Sequence, residues 1–457
     1  MLSKTQKIYF IGIKGVGMTM LAQFLAAQGN SVSGSDVKEG FMTDKVLRRK
    51  KIKVASPFAA ANIPDADLII YSTAYNPQNN PELALIKNNP ARFKKVKILS
   101  YPEALGAIFN KYYGIAVCGS HGKTTTSAWL GYVLSRAGLE PNVLVGSYVP
   151  QFKGSSLAGQ SKYFVAEVDE YQNKLKYFQP RGVVLNNIDY DHPDFFKDKK
   201  AYRQAFIDFI KKIPVSGWLV VNEDDAEARA VAKFCRGRVV FYSAKNFSAS
   251  DLKLSLPGRH NLYNAQAVLA AAYLLGVKPQ AAEKYVASFT GTERRLQTMG
   301  KYHGATIIDD YAHHPTEIKA SLAAMRQKYP NKKIITVFHP HTFTRTKKFF
   351  FDFAQSFTAT DELIILDIYG SAREKQGGVS SRQLVQEIIK VNRMDNKLNK
   401  SRDKSRAKFR EIKQDIRHIA TMPAVTAYLK KKLKSNDILL LMGAGDVFRV
   451  GQALLKK

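Results

Sequence analysis

Residues 119–126 read GSHGKTTT and follow the apolar run from Ile115 to Cys118. A strand, a glycine turn and a Lys-Thr pair opening a helix make a cradle for phosphate. Gly119 and Gly122 let backbone N–H groups close on a polyphosphate, and the helix N-terminus favours its negative charge. Lys123 can reach the terminal phosphates, and the hydroxyl of Thr124, with Thr125 beside it, can hold a divalent cation. Such a loop needs a strand behind it and a helix ahead, which confines the chain to an α/β architecture. The spacing departs from the general pattern, because Val117 stands where that pattern has its first glycine. A glycine turn capped by threonines is the plainer alternative; an ATP-using enzyme is the leading one.

The rest of the chain alternates strands and helices in three blocks. The first, to about residue 110, opens with KIYFIGI, the turn GIKGVG at 12–17, a helix through Leu25 and short strands ending at Asp36 and near Ala74. The second carries the phosphate loop, then YFVAEVDE, GVVLNNIDYDH and GWLVVNEDD, and an Ala-rich helix after LPGRHNLYNAQ. The third, from about Leu296, offers ATIIDDY, KIITVFH, ELIILDIY and DILLLMG as strands. A basic segment at 391–420 stands apart: its first half reads as a solvated loop or helix extension. Phe409, Ile412, Ile416 and Ile419 then recur at helical spacing and predict an amphipathic helix.

A chain of 457 residues is enough for two to four such domains of ~100–200 residues. It has no apolar stretch of ~18 residues and no signal-peptide pattern at its start. Its two cysteines, Cys118 and Cys235, form no CxxC pair, so a reduced, cytoplasmic protein is expected. The net charge of +32 admits nucleic-acid binding, focusing of anionic small molecules, or a surface reflecting the host's composition. Lysines are scattered along nearly the whole chain, which favours the last.

Other constellations carry chemistry less specifically. GIKGVG follows a strand and opens a helix, as a dinucleotide fingerprint does, but its order is GxxGxG. A diphosphate-containing nucleotide is the safer expectation, with Asp36 placed to accept a ribose hydroxyl. EVDE and DYDH end neighbouring strands, so Glu167 and His192 are candidate Mg²⁺ ligands, with buried ion pairs or strand-end caps as the alternative. Asn264 could read an adenine edge, while Asn261 is expected to cap its helix. Asp309, Asp310, His313, His314, His339, His341 and Arg345 gather on two loops. Their histidines make zinc conceivable; the arginine and hydroxyl groups argue instead for a site that receives an anion, clamped bidentately by Arg345.

Together IGIKGVGM, GSHGKTTT, NNIDYDHPD, PGRHNLYN, GTERR, DDYAHHPTEI and HPHTFTRT resemble the motif set of the Mur ligase family. The resemblance runs from about residue 7 to the C-terminus and includes MGAGDVFRVGQAL at 442–454. It is strongest to the branch that joins L-alanine to UDP-N-acetylmuramate. The resemblance implies three α/β domains, each a largely parallel sheet with flanking helices: a Rossmann-like UDP-sugar domain at 1–110, an ATP-binding P-loop domain at 111–295 and a Rossmann-like amino-acid domain at 296–457. By the same likeness Gly12, Gly15 and Gly17 bind the UDP-sugar diphosphate, with Asp36 and Ser72 near the UDP moiety. Gly119, Gly122, Lys123, Thr124 and Thr125 hold the ATP phosphates, Asn264 contacts adenine, Arg295 the phosphates and Asp310 the ribose. Thr124, Glu167 and His192 hold Mg²⁺ or Mn²⁺. Tyr311, His313, His341 and Arg345 position L-alanine, and Lys123, His192, His313 and Arg345 are the catalytic set.

The implied partners are UDP-N-acetylmuramate, L-alanine and ATP, in a monomer or homodimer with no membrane span; nucleic acid is not expected. Two departures stand out. Some relatives place an arginine directly after the histidine of HPH where this chain has Thr342, and the basic segment at 391–420 is longer than the family leads one to expect. No lysine can be assigned as a carbamylated metal ligand. Behind an L-alanine ligase stand a Mur-type ligase for another amine (glycine, serine or a recycled peptide), a nucleic-acid-binding P-loop ATPase and a non-catalytic scaffold.

Overall fold

The computed structural model describes residues 5–248, 250–370, 374, 376–402 and 414–456. The chain gathers into two compact units. One comprises the chain up to Ile188 with Arg203–Asn246 and Tyr263–Thr292; the other comprises Asp189–Tyr202, Phe247–Leu262 and the chain from Glu293 onward.

The first unit holds two sheets. Strands β1 (Lys7–Ile11), β2 (Ser31–Ser35), β3 (Lys53–Ala55), β4 (Leu68–Tyr71) and β5 (Lys97–Ser100) form an all-parallel sheet in the order β3-β2-β1-β4-β5. The larger sheet is built from β6 (Tyr113–Cys118), β7 (Asn142–Val149), β8 (Gly154–Leu157), β9 (Tyr163–Glu167), β10 (Gly182–Leu185), β11 (Trp218–Asn222) and β12 (Arg238–Tyr242). Its order is β12-β11-β10-β6-β9-β7-β8, with only the β7–β8 pair antiparallel. Strand β6 is central and covered on both faces, which is why Ile115, Ala116, Val117 and Cys118 run as an unbroken apolar stretch with no exposure. The helix Val16–Ala27 is buried from Met18 through Leu25 and packs on β7 and β8, with Phe24 edge-on to Phe164 of β9 at 5.3 Å. This all-round apolarity comes from lying between two sheets rather than on a surface.

The second unit contains β13 (Gln297–Tyr302), β14 (Ala305–Asp310), β15 (Ile334–Phe338), β16 (Glu362–Ile365), β17 (Asp415–His418) and β18 (Ile438–Met442). They run β13-β14-β18-β15-β16-β17, parallel except for β13 against β14. Side chains alternate between two cores as a two-residue period requires: Ile334, Phe338, Ile438, Leu440 and Met442 enter one, Ile335, Val337, Leu439 and Leu441 the other. The three largely parallel sheets with flanking helices match the fold class expected from the sequence.

Two expectations are corrected. Ile416 and Ile419 do not share a helix. Residue 416 lies in β17, paired parallel to β16, and the two side chains join opposite cores. Positions three apart fall on opposite faces of an extended chain, so a spacing that suits a helix also serves a strand buried on both sides. Phe409 and Ile412 lie outside the described residues. The first half of the basic segment does extend a helix, Ser381–Arg402. Asn261 is not a cap, because its helix, Arg259–Leu274, begins before it. Its side-chain amide donates back to the carbonyl of Pro257 at 2.7 Å, stitching the helix to the preceding loop. Among the described residues, no helix is long and apolar enough to cross a membrane.

Candidate active site

At the carboxyl end of β1 the chain turns through Gly12 at φ +84°, its N–H donating to the carbonyl of Ser35 at 2.9 Å. A Cβ there would stand 2.7 Å from the ring of Tyr75 and 2.9 Å from Ser72, so strain and space both demand glycine. Gly15 and Gly17 follow at the head of the next helix. The structure thus brings Gly12, Gly15, Gly17, Asp36 and Ser72 together at the ends of β1, β2 and β4. Asp36 is already engaged: Oδ2 accepts from the N–H of Lys14 at 2.6 Å, and Oδ1 from the N–H of Val37 and the hydroxyl of Tyr75. Its burial raises its pKa, against the lowering pull of those bonds. Asp36 therefore shapes the glycine turn before it meets any ribose.

The phosphate loop leaves β6 and enters the helix Lys123–Arg136 through Gly122 at φ +81°. The ammonium of Lys123 donates to the carbonyls of Gly119 (2.6 Å) and Ser120 (3.1 Å) and to Glu170 (3.3 Å). Desolvation alone would lower its pKa; Glu170, Asp169 and Glu167 more than offset this and raise it, so it stays charged. The hydroxyl of Thr124 donates to Glu167 Oε1 at 2.9 Å, and Glu167 Oε2 accepts from the N–H of Gly146 at 2.8 Å. Thr125 is buried on the same helix.

Sequence reasoning placed Asn264 against adenine. In the structure its Oδ1 accepts from the hydroxyl of Thr126 at 3.1 Å, so it buttresses the loop's helix. Asn186 and Asn187 went unnoticed. Asn186 Nδ2 donates to the carbonyl of His121 and to Thr126; Asn187 binds both the backbone N–H and the carbonyl of His121. Glu170 was missed too, although the EVDE run that displayed Glu167 ends on it.

In the second unit, His313, His341, Arg345 and Tyr311 come together as expected. The rings of His313 and His341 are 6.3 Å apart, and that of Tyr311 is 5.4 Å from His313. His313 Nδ1 lies 2.9 Å from the carbonyl of Tyr311, which selects the Nδ1–H tautomer and turns Nε2 into an acceptor. Burial lowers its pKa to about 3, with Glu317 pulling the other way and Arg345 adding to the fall. His341 is likewise lowered by burial, to about 4, and stacks on Tyr369 at 5.6 Å. Its Nδ1 faces Nη1 of Arg345 at 3.4 Å and can only accept there. Among the described residues, His313, His339 and His341 form no metal-ligating trio.

Arg345 is nearly buried, and its fork is committed within this unit: Nε donates to Asp191 Oδ1 at 3.0 Å and Nη2 to Oδ2 at 3.2 Å. The bidentate edge that sequence reasoning reserved for a substrate carboxylate is taken by Asp191, leaving Nη1 on the His341 side. Asp191 also accepts from the N–H of His192, a residue held at φ +55°. Thr342 accepts from the N–H of Arg345 and caps its helix, while Glu374 accepts from the N–H groups of Phe343 and Thr344. Arg295 lies over the ring of Tyr311 at 5.0 Å. Asp310 is buried with its pKa raised to about 6, and among the described residues its Oδ2 has no hydrogen-bond partner.

Three family models match in chain order. They are the Mur ligase family catalytic domain over residues 7–113, the Mur ligase middle domain over 117–253, and the Mur ligase glutamate ligase domain over 294–445. A UDP-N-acetylmuramate--L-alanine ligase of Caldanaerobacter subterraneus subsp. tengcongensis is 36% identical, covering 100% of this chain and 98% of the relative. One from Desulfitobacterium hafniense is 36% identical over 98% and 99%. The crystal structure of the UDP-N-acetylmuramate-alanine ligase of Thermotoga maritima superposes with a TM-score of 0.77 at 23% identity, covering 98% of both chains. A murein peptide ligase from Psychrobacter arcticus follows at 0.69, also at 23% identity over 98% of both. On full-length identity and on all three models, the chain belongs to the Mur ligase family.

Proposed function

We infer that this chain is an ATP-dependent ligase of peptidoglycan precursor synthesis. It joins the amine of L-alanine to the lactyl carboxylate of UDP-N-acetylmuramate through an acyl phosphate. The full-length likeness to curated L-alanine ligases supports the substrates. The observation that carries the chemistry is the loop at 119–124, where one charged lysine and a hydroxyl–carboxylate pair stand at the head of a buried helix.

A carboxylate is a poor electrophile until phosphorylated. Its oxygen attacks the γ-phosphorus of ATP, ADP leaves, and the acyl phosphate has a good leaving group. The alanine nitrogen then attacks the carbonyl carbon and phosphate departs from the tetrahedral intermediate. Negative charge lies on phosphate oxygens during phosphoryl transfer and passes to the former carbonyl oxygen in the tetrahedral intermediate before returning to the departing phosphate. Lys123 and the loop N–H groups therefore stabilise the phosphate-centred stages. Thr124 and Glu167 fit a hard divalent cation, since both offer oxygen and their atoms already converge. Mg²⁺ bound there would neutralise phosphate charge. Gly12, Gly15 and Gly17 receive the UDP diphosphate, and Arg295 and Asp310 serve the nucleotide.

His313, at about 3, is too weak a base to keep an ammonium proton at neutral pH; its Nε2 orients the amine instead. Arg345 offers the alanine carboxylate one N–H edge rather than a fork.

The test is phosphate release from ATP and Mg²⁺ with UDP-N-acetylmuramate, with and without L-alanine, beside Lys123→Ala. Release that needs both substrates and disappears in the variant supports the reading. Release only with glycine, serine or a peptide moves the amine. Silence with every amine from folded protein overturns it.

A further inference from the structure

We propose that Asn187 is a positioning residue for ATP, acting through the backbone of His121. The proposal rests on reading residues 119–124 as the ATP cradle. Asn187 directly follows β10 and its succeeding Asn186, whose N–H donates to the carbonyl of Cys118 at 3.1 Å and so continues the pairing with β6. From there the side chain of Asn187 holds the backbone of one residue on both sides: Oδ1 accepts from the N–H of His121 at 2.8 Å, and Nδ2 donates to its carbonyl at 3.2 Å. The backbone joins in, since the N–H of Ser120 donates to the carbonyl of Asn187 at 3.2 Å. A Cβ on Gly119 would lie 2.8 Å from that same carbonyl oxygen. The first half of the loop is thus docked edge to edge on residues 186–187.

Docking has a consequence for the ligand. The N–H groups of Ser120 and His121 are consumed by Asn187, so they do not point at phosphate. The donors left to a polyphosphate are those of Gly122, Lys123 and Thr124, at the head of the helix where N–H groups lack intrahelical partners. Which way the first of these points follows from the 121–122 peptide, because the carbonyl of His121 and the N–H of Gly122 share one plane. An amide side chain that holds both the N–H and the carbonyl of His121 fixes two successive peptide planes, 120–121 and 121–122. A hydroxyl or a methyl in its place does not. Asn187 itself touches the loop and not the nucleotide, so its effect falls on ATP affinity rather than on the amine or the UDP-sugar.

Full-length Asn187→Ala and Asn187→Ser variants test this by titration calorimetry with ADP, together with steady-state KM for each substrate and thermal unfolding. Losing two bonds of ordinary strength is expected to weaken ADP by about tenfold in Asn187→Ala. Asn187→Ser, which can serve one peptide group but not both, falls between, and carries the test if alanine prevents folding. KM for ATP rises in step while KM for UDP-N-acetylmuramate and L-alanine stays within about twofold. ADP affinity and ATP KM unchanged in a folded variant would overturn the proposal, as would a fall in melting temperature alone. Wild-type protein that binds no nucleotide sinks the cradle reading itself, which is a different result.

Discussion

The ammonium of Lys123 and the carboxylate of Glu170 meet at 3.3 Å, with the glutamate side chain almost wholly buried. The lysine is therefore charged and held above its own loop. A buried pair penalises removal of either partner alone, because the survivor keeps its desolvation cost. Lys123→Ala is expected to abolish phosphate release, by about a thousandfold or more, and to destabilise the first unit as well. Lys123→Ala/Glu170→Gln should recover the lost stability in denaturant titration and none of the turnover. Recovery of both would show that the lysine's role is packing.

Gly122 is constrained twice, by φ +81° and by neighbours. A Cβ would fall 2.5 Å from Asn264 Oδ1 and 2.7 Å from Asn186 Nδ2. Gly122→Ala is expected to cost about 1–3 kcal/mol in unfolding free energy and to weaken nucleotide binding together with it. Calorimetry with ADP and urea titration check the two effects. An alanine variant with wild-type affinity would mean that the asparagines can give way.

The Arg345–Asp191 fork makes a directional prediction. Asp191→Ala leaves a nearly buried guanidinium without its partner and should cost about 3–5 kcal/mol. Arg345→Lys keeps charge but loses the two-pronged geometry. Its expected signature is a raised KM for L-alanine, with KM for ATP unchanged, read from initial-rate kinetics.

Acid should loosen the fold through histidines. Burial holds His260 and His341 at about 4 and His313 at about 3, below the ordinary 6.5. The unfolded chain takes up these protons first, so stability declines as pH falls below about 6.5, by about 1.4 kcal/mol per pH unit for each proton. Asp310 opposes this between its ordinary 3.8 and about 6, where the folded chain binds the extra proton. Urea midpoints measured from pH 7 to 4.5 should fall, and His313→Asn should make the fall shallower.

The inner strands were legible because both faces are buried: β6, β15 and β18 carry apolar runs that no other element explains. The border strands β3, β12 and β13 were not, since KVA, RVVFY and QTMGKY mix polar with apolar residues as edges do. Lys123 and Thr124 were nominated from spacing, and the structure sets both at the head of the helix that follows Gly122. Asn187 and Asp191 were not, because their work is to hold His121 and Arg345, at sequence separations of 66 and 154. A partner that distant leaves no local pattern. Asn264 was nominated for an adenine edge, and its Oδ1 also accepts from Thr126, a tie at a separation of 138 residues.

Strand β17 is the outermost member of its sheet, and the long basic stretch enters by the helix Ser381–Arg402 and leaves through that strand. An insertion hung on a border shifts no interior register and adds only the slowly growing entropy of a longer loop. Length at this point is therefore a variable that can change without touching the carboxyl ends of the inner strands β14, β15 and β18, and a graft or deletion there alters the protein's charge at little cost to the sheet.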